Sequence, residues 1–98
     1  LINNAGVVTP GDFWHQSTES IETTISVNTL GVMYVTRAFL PAMIQRPEAH
    51  LVNISSASAL TPVPYGAVYA ASKWAVYGWS ESLRLELEDQ GHHHVKVT

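Results

Sequence analysis

Four residues could together do chemistry in this sequence: Asn28, Ser56, Tyr69 and Lys73. Tyr69 and Lys73 stand four apart, so on a helix they project from one face, one turn apart. Lys73 is the one Asp, Glu, Lys or Arg between Ala49 and Ser80. An ammonium in such an apolar stretch is costly to bury without partners. The alternative is a lysine that snorkels to solvent, and Y-x-x-x-K alone does not decide between them. Ser56 adds a hydroxyl, in a loop where Ser55 and Ser58 have similar claims. Asn28 adds an amide on an otherwise apolar helix stripe between Ile25 and Val32, where it must find hydrogen bonds. A phenol, a hydroxyl and an ammonium in one crevice are groups that exchange protons and stabilise charge on oxygen.

The elements that position them follow from pattern. Leu1-Ile2-Asn3 reads as a strand tail running into the turn Asn4-Ala5-Gly6. Ser17 is an N-cap, with Glu19 in the first turn. From Thr18 to Gln45 apolar residues recur at helical spacing (Ile21, Ile25, Val32, Val35, Phe39, Met43), which predicts one long amphipathic helix. Pro41 removes one of its hydrogen bonds and Pro47 stops it. His50 to Ser55 predicts a buried strand, and Ser56 to Pro64 a loop of small residues and prolines. A second helix is predicted from Ala67 to Asp89, ending at Gly91, then a strand from Val95 to Thr98. Strand, helix, strand, helix, strand implies parallel pairing in an α/β sheet. Ligands bind at the carboxyl ends of such strands, which is where Ser56 and the start of the second helix meet.

The chain has 98 residues, 13% charged and 46% hydrophobic, with a net charge of −3 and no cysteine. Length bounds it to a single domain at most. The acidic balance argues against nucleic-acid binding, and no polybasic segment suits an anionic membrane. Cysteine-based disulfides and zinc sites are excluded. With no leader-like segment in view, the expectation is a cytoplasmic protein with no membrane association. The low charge means that apolar helix faces must meet a partner or further chain.

The sequence resembles the classical short-chain dehydrogenases/reductases. The resemblance rests on Asn3-Asn4-Ala5-Gly6, Asn28-Thr29-Leu30-Gly31, Asn53-Ile54-Ser55-Ser56 and Tyr69-Ala70-Ala71-Ser72-Lys73, in that order. The thirteen positions from Ser56 to Tyr69 favour Ser56 over Ser55 as the family's serine. It implies a Rossmann-type doubly wound parallel sheet in three α/β/α layers, of which residues 1–98 are a partial domain, the catalytic half. The family's glycine-rich phosphate turn is absent, as is its Pro-Gly segment after the last strand, so the N-terminal cofactor-binding βαβ units are expected to lie outside this sequence.

The same resemblance implies NAD or NADP as cofactor, a small alcohol or carbonyl substrate, and the tetrad Asn28, Ser56, Tyr69 and Lys73. Asn4, Ala5 and Gly6 would lie along the cofactor, with Tyr69 and Lys73 at the nicotinamide ribose. Tyr69 would be the acid or base. A free phenol is a poor base at neutral pH, and the charge of Lys73 favours its phenolate. Ser56 would bind the substrate oxygen, and Asn28 would hold a relay water. Two other readings stand beside this one: an extended-type sugar-nucleotide epimerase or dehydratase, which shares Y-x-x-x-K, and a non-catalytic NAD(P)-binding protein of the same fold. The isolated 98 residues are expected to be inactive.

His92-His93-His94 invites a metal reading, but three consecutive residues converge poorly on one ion, so no metal is expected. Trp74, Tyr77 and Trp79 read as packing. The family pairs its long helices between subunits, so a homodimer or homotetramer through both helices is expected. Pro62-Val63-Pro64-Tyr65 and Val7 to Trp14 are expected to flank the crevice and suit a moderately hydrophobic substrate.

Overall fold

The computed structural model describes residues 1–55, 62 and 64–98. Three short parallel strands form the sheet in the order β1 (Ile2–Asn3), β2 (Ala49–Asn53), β3 (Val95–Val97). Ile2 pairs with Val52, Asn3 with Asn53, and His50 with Lys96. Pairing runs slightly past the last strand: Thr98 N–H donates to the Leu51 carbonyl at 2.9 Å, and Asn53 N–H to that of Thr98 at 2.8 Å.

The helices cover one face of this sheet. Strand side chains alternate, and Leu1, Ala49, Leu51, Val95 and Val97 join Met43 and Leu87 in the core. The other face carries Ile2, His50 and Lys96, all exposed, and half-buried Val52. The buried strand expected at 50–55 is thus buried on one side only. It runs from Ala49 to Asn53, one residue earlier at its start and two shorter at its end.

The long helix expected from Thr18 to Gln45 is one continuous helical run with an interruption. It consists of α1 (Thr18–Ile25), a π-helical turn (Ser26–Leu30) and α2 (Gly31–Ile44). Ser17 caps α1 as expected, its hydroxyl accepting the Ser20 N–H at 3.0 Å. In the π turn Gly31 N–H reaches back five residues to the Ser26 carbonyl. A Cβ on Gly31 would stand 3.2 Å from that oxygen, so a glycine suits the position. At its far end, His94 Nε2 donates to the Ile44 carbonyl at 2.7 Å, which satisfies one of the orphan acceptors of a helix C-terminus.

The run Thr18–Ile44 is long and apolar enough to cross a membrane, a property the sequence reading had not assigned to it. Its buried polar residues nevertheless serve the fold. Thr36 accepts a hydrogen bond from Asn3 of β1, while Asn28 and Thr29 bond to the second long helix, α3 (Ala67–Asp89). That helix has the predicted limits, and Gly91 just beyond it takes the left-handed φ of +80° that a glycine accepts freely.

Candidate active site

Tyr69 lies in the first turn of α3 and Lys73 one turn later. Lys73 is 5% exposed, so the snorkelling alternative does not hold. Its Nζ donates to the Ile54 carbonyl at 3.2 Å, just past the carboxyl end of β2, and stands 5.8 Å from the centre of the Tyr69 ring. Among the described residues this is its one hydrogen bond, which leaves two N–H donors.

Gly6 faces the same place. A Cβ on Gly6 would lie 3.5 Å from Lys73 Nζ and 3.5 Å from Asn28 Oδ1. The glycine, the amide oxygen and the ammonium therefore bound one opening at the carboxyl edge of the sheet. Asn4 and Ala5 are exposed beside it, and with Ile2, Gly31 and Val35 they line an open groove of about 480 Å³.

Asn28 is fully buried. It sits in the π turn, and its side chain acts as a two-point clamp on the loop after β1. Oδ1 accepts the Val7 N–H at 2.8 Å, and Nδ2 donates to the Val7 carbonyl at 2.8 Å. Nδ2 also donates to Ser72 Oγ at 3.1 Å. Asn28 thus ties the Gly6 loop to α3, a task its place in the sequence did not announce. Below it a second polar chain stitches the sheet to the helices. Asn3 Nδ2 donates to Thr36 Oγ1 at 3.0 Å and to Asn53 Oδ1 at 2.8 Å, and Asn53 Nδ2 donates to Ser80 Oγ at 2.8 Å.

Of the expected site residues, the structure brings together Asn28, Lys73, Tyr69 and Gly6, with Asn4 and Ala5 alongside. Ser56 lies outside the described residues, as does Val63. Ser55 Oγ is buried with no hydrogen-bond partner among the described residues. Two loop segments expected to flank the crevice do meet, since Gly11 N–H donates to the Tyr65 carbonyl at 3.1 Å. Phe13, Trp14, Tyr65 and Ala67 border a groove of about 370 Å³ there, and Trp14 is 83% exposed. Thr29 and Ser72 stand within the motifs Asn28-Thr29-Leu30-Gly31 and Tyr69-Ala70-Ala71-Ser72-Lys73, but nothing in the sequence assigns either of them a role.

The opening presents a buried cation, with two donors uncommitted among the described residues, and a glycine with no side chain to fill the space. That set fits a hydroxyl-rich ligand such as a nucleotide ribose. The short chain dehydrogenase family model matches residues 1–98, the whole chain. This chain belongs to the short chain dehydrogenase family. It is 41% identical over 91 residues to estradiol 17-beta-dehydrogenase 11 of Rattus norvegicus, covering 93% of this chain and 30% of that protein. It is 36% identical over 98 residues to human (Homo sapiens) 17-beta-hydroxysteroid dehydrogenase 13, covering 100% and 33%.

Solved structures of short-chain dehydrogenases share the fold. One from Burkholderia phymatum, in complex with NAD, superposes with a TM-score of 0.93 at 36% identity, over 99% of this chain and 34% of that one. A metagenomic short-chain oxidoreductase in complex with NADP gives 0.89 at 38% identity, over 99% and 42%. The chain therefore spans about a third of the length of the curated relatives it matches. The doubly wound Rossmann-type architecture is shared with these dehydrogenases, and the three strands and their helices are a portion of it.

Proposed function

We propose that this chain is the catalytic portion of an NAD(P)-dependent oxidoreductase acting on an alcohol or carbonyl substrate, with residues 1–98 a partial domain of it. The observation that carries the reading is the buried Lys73 ammonium one turn from Tyr69, facing the Gly6 opening. A bound nicotinamide supplies or accepts the hydride. Every other task falls to side chains. Tyr69 Oη gives a proton to the substrate oxygen in reduction and takes it back in oxidation. Lys73 turns donors that are uncommitted among the described residues to the ribose hydroxyls. Asn4, Ala5 and Gly6 form the edge along which the cofactor lies, which the missing Gly6 side chain keeps open. Asn28 holds that edge in place; its relay-water role rests on the sequence motif. Ser56 binds the substrate oxygen; this role rests on the sequence motif.

The substrate class is an apolar, ring-containing alcohol or ketone. Exposed Phe13, Trp14 and Tyr65 support it, as do relatives named for estradiol and hydroxysteroids. We also propose a homo-oligomer through the long helices, where Tyr34, Phe39, Trp74 and Tyr77 are about half exposed. Such rings bury well against a second copy.

The test uses the full-length protein with NAD⁺ or NADP⁺ and 17β-estradiol, cyclohexanol and ethanol. Turnover is expected with the ring alcohols and is expected to fall by about 10³-fold or more in Tyr69→Phe, as when an essential proton-transfer group is lost. Near-wild-type turnover in that variant would sink the assignment. An epimerase or dehydratase would instead convert a sugar nucleotide with no net change in NADH absorbance.

A further inference from the structure

Ser72 is fully buried, between the two residues of the proposed Tyr69–Lys73 pair in sequence, and two consecutive residues of the π turn hold it from the other helix. Asn28 Nδ2 donates to Ser72 Oγ at 3.1 Å, and Thr29 Oγ1 donates to the Ser72 carbonyl at 3.0 Å. Asn28 and Thr29 both lie in the π turn and both are buried.

The Ser72 hydroxyl passes the constraint on. It donates to the Tyr69 carbonyl at 2.6 Å. In a helix that carbonyl is also the acceptor for the amide of the residue four later, which is Lys73. One oxygen therefore closes the turn that spaces the two side chains, and Ser72 fixes it from the side. Through Asn28 the same hydroxyl connects to Val7 and the Gly6 loop. We propose that Ser72, held by Thr29, is a positioning residue that sets Lys73 against the Gly6 opening, so that loss of either hydroxyl weakens cofactor binding through Lys73. This rests on the cofactor role proposed for Lys73.

A double-mutant cycle on the full-length protein tests it, with Kd for NADH and NADPH read by fluorescence titration. Ser72→Ala is expected to weaken the better-bound cofactor by about tenfold in the native background and by less than about twofold in a Lys73→Met background, because residues of one network couple and independent ones add. Thr29→Val, which keeps shape and removes the bond to α3, is expected to show the same pattern and serves should Ser72→Ala not fold. Thr29→Ser keeps the hydroxyl and is expected to retain native affinity. An equal loss in both backgrounds, or no loss in either variant, overturns the positioning role alone. Native NADH and NADPH affinity in Lys73→Met itself overturns the ribose role of Lys73 and this proposal with it.

Discussion

The side chain of Asn28 pairs with Val7 as a strand would, accepting its N–H and donating to its carbonyl, both at 2.8 Å. Residues 21 apart in sequence are thereby joined across the helix–loop boundary. The loop that carries Gly6 has its position set by a side chain from the π turn.

Removing that clamp should loosen the fold and the site together. Asn28→Ala strips Val7 of both partners and leaves Ser72 Oγ without its donor. We expect a loss of about 2–3 kcal/mol, the usual scale for leaving partly buried polar groups unpaired. The urea midpoint of the full-length protein checks this, read at an unchanged m-value.

Lys73→Met should separate stability from binding. The ammonium is buried and, among the described residues, bonds only to the Ile54 carbonyl, and replacing a buried charge by an apolar chain of similar length is often neutral or stabilising. The melting temperature is expected to fall by no more than about 3 °C, the equivalent of about 1 kcal/mol in a protein of this class. NADH and NADPH affinity is expected to drop by at least about tenfold, as the loss of a charge-assisted hydrogen bond warrants.

Gly6→Ala should do the same by filling space. The added methyl would meet Asn28 Oδ1 and Lys73 Nζ at 3.5 Å, an ordinary contact distance. The fold therefore has room for it, and the melting temperature should hold. Cofactor affinity, measured calorimetrically, should fall by about tenfold because the methyl occupies the opening itself.

Two helical glycines should respond with opposite sign. At Gly78 a Cβ meets nothing within 4 Å, so Gly78→Ala should gain about 0.5–1 kcal/mol from lower unfolded-chain entropy. At Gly31 the methyl would stand 3.2 Å from the Ser26 carbonyl, and the π turn must shift to admit it. Gly31→Ala should lose stability, and denaturant unfolding of the pair shows whether the difference exceeds about 1 kcal/mol.

Much of this was legible in the residues. Ser17, Pro47 and Gly91 are local signals, so the helix limits followed from them, while Pro41 stands inside α2. The Tyr69–Lys73 turn needed only helical spacing. The π turn was hidden because the apolar stripe steps from Ile25 to Val32, seven residues, which regular helix accommodates as two turns. The Val7 clamp was hidden because an amide can bond any backbone within reach, and no spacing rule couples 7 to 28. The strand at Ala49–Asn53 was read as buried all round because Leu51 and Val52 are both apolar, whereas the helices cover only the Leu51 side. The histidines gave no hint that His94 would serve the end of α2.

The π turn between α1 and α2 also works as a phase shifter. One residue more than a regular turn rotates all that follows by about 100°. Deleting a single residue from 26–30 would restore an unbroken α-helix, locally the more favourable backbone, yet it would swing Val32, Thr36 and Met43 off the sheet. Helical regularity and the docking of two faces are therefore in competition along this one run, and the irregular turn is where the contest is resolved in favour of docking.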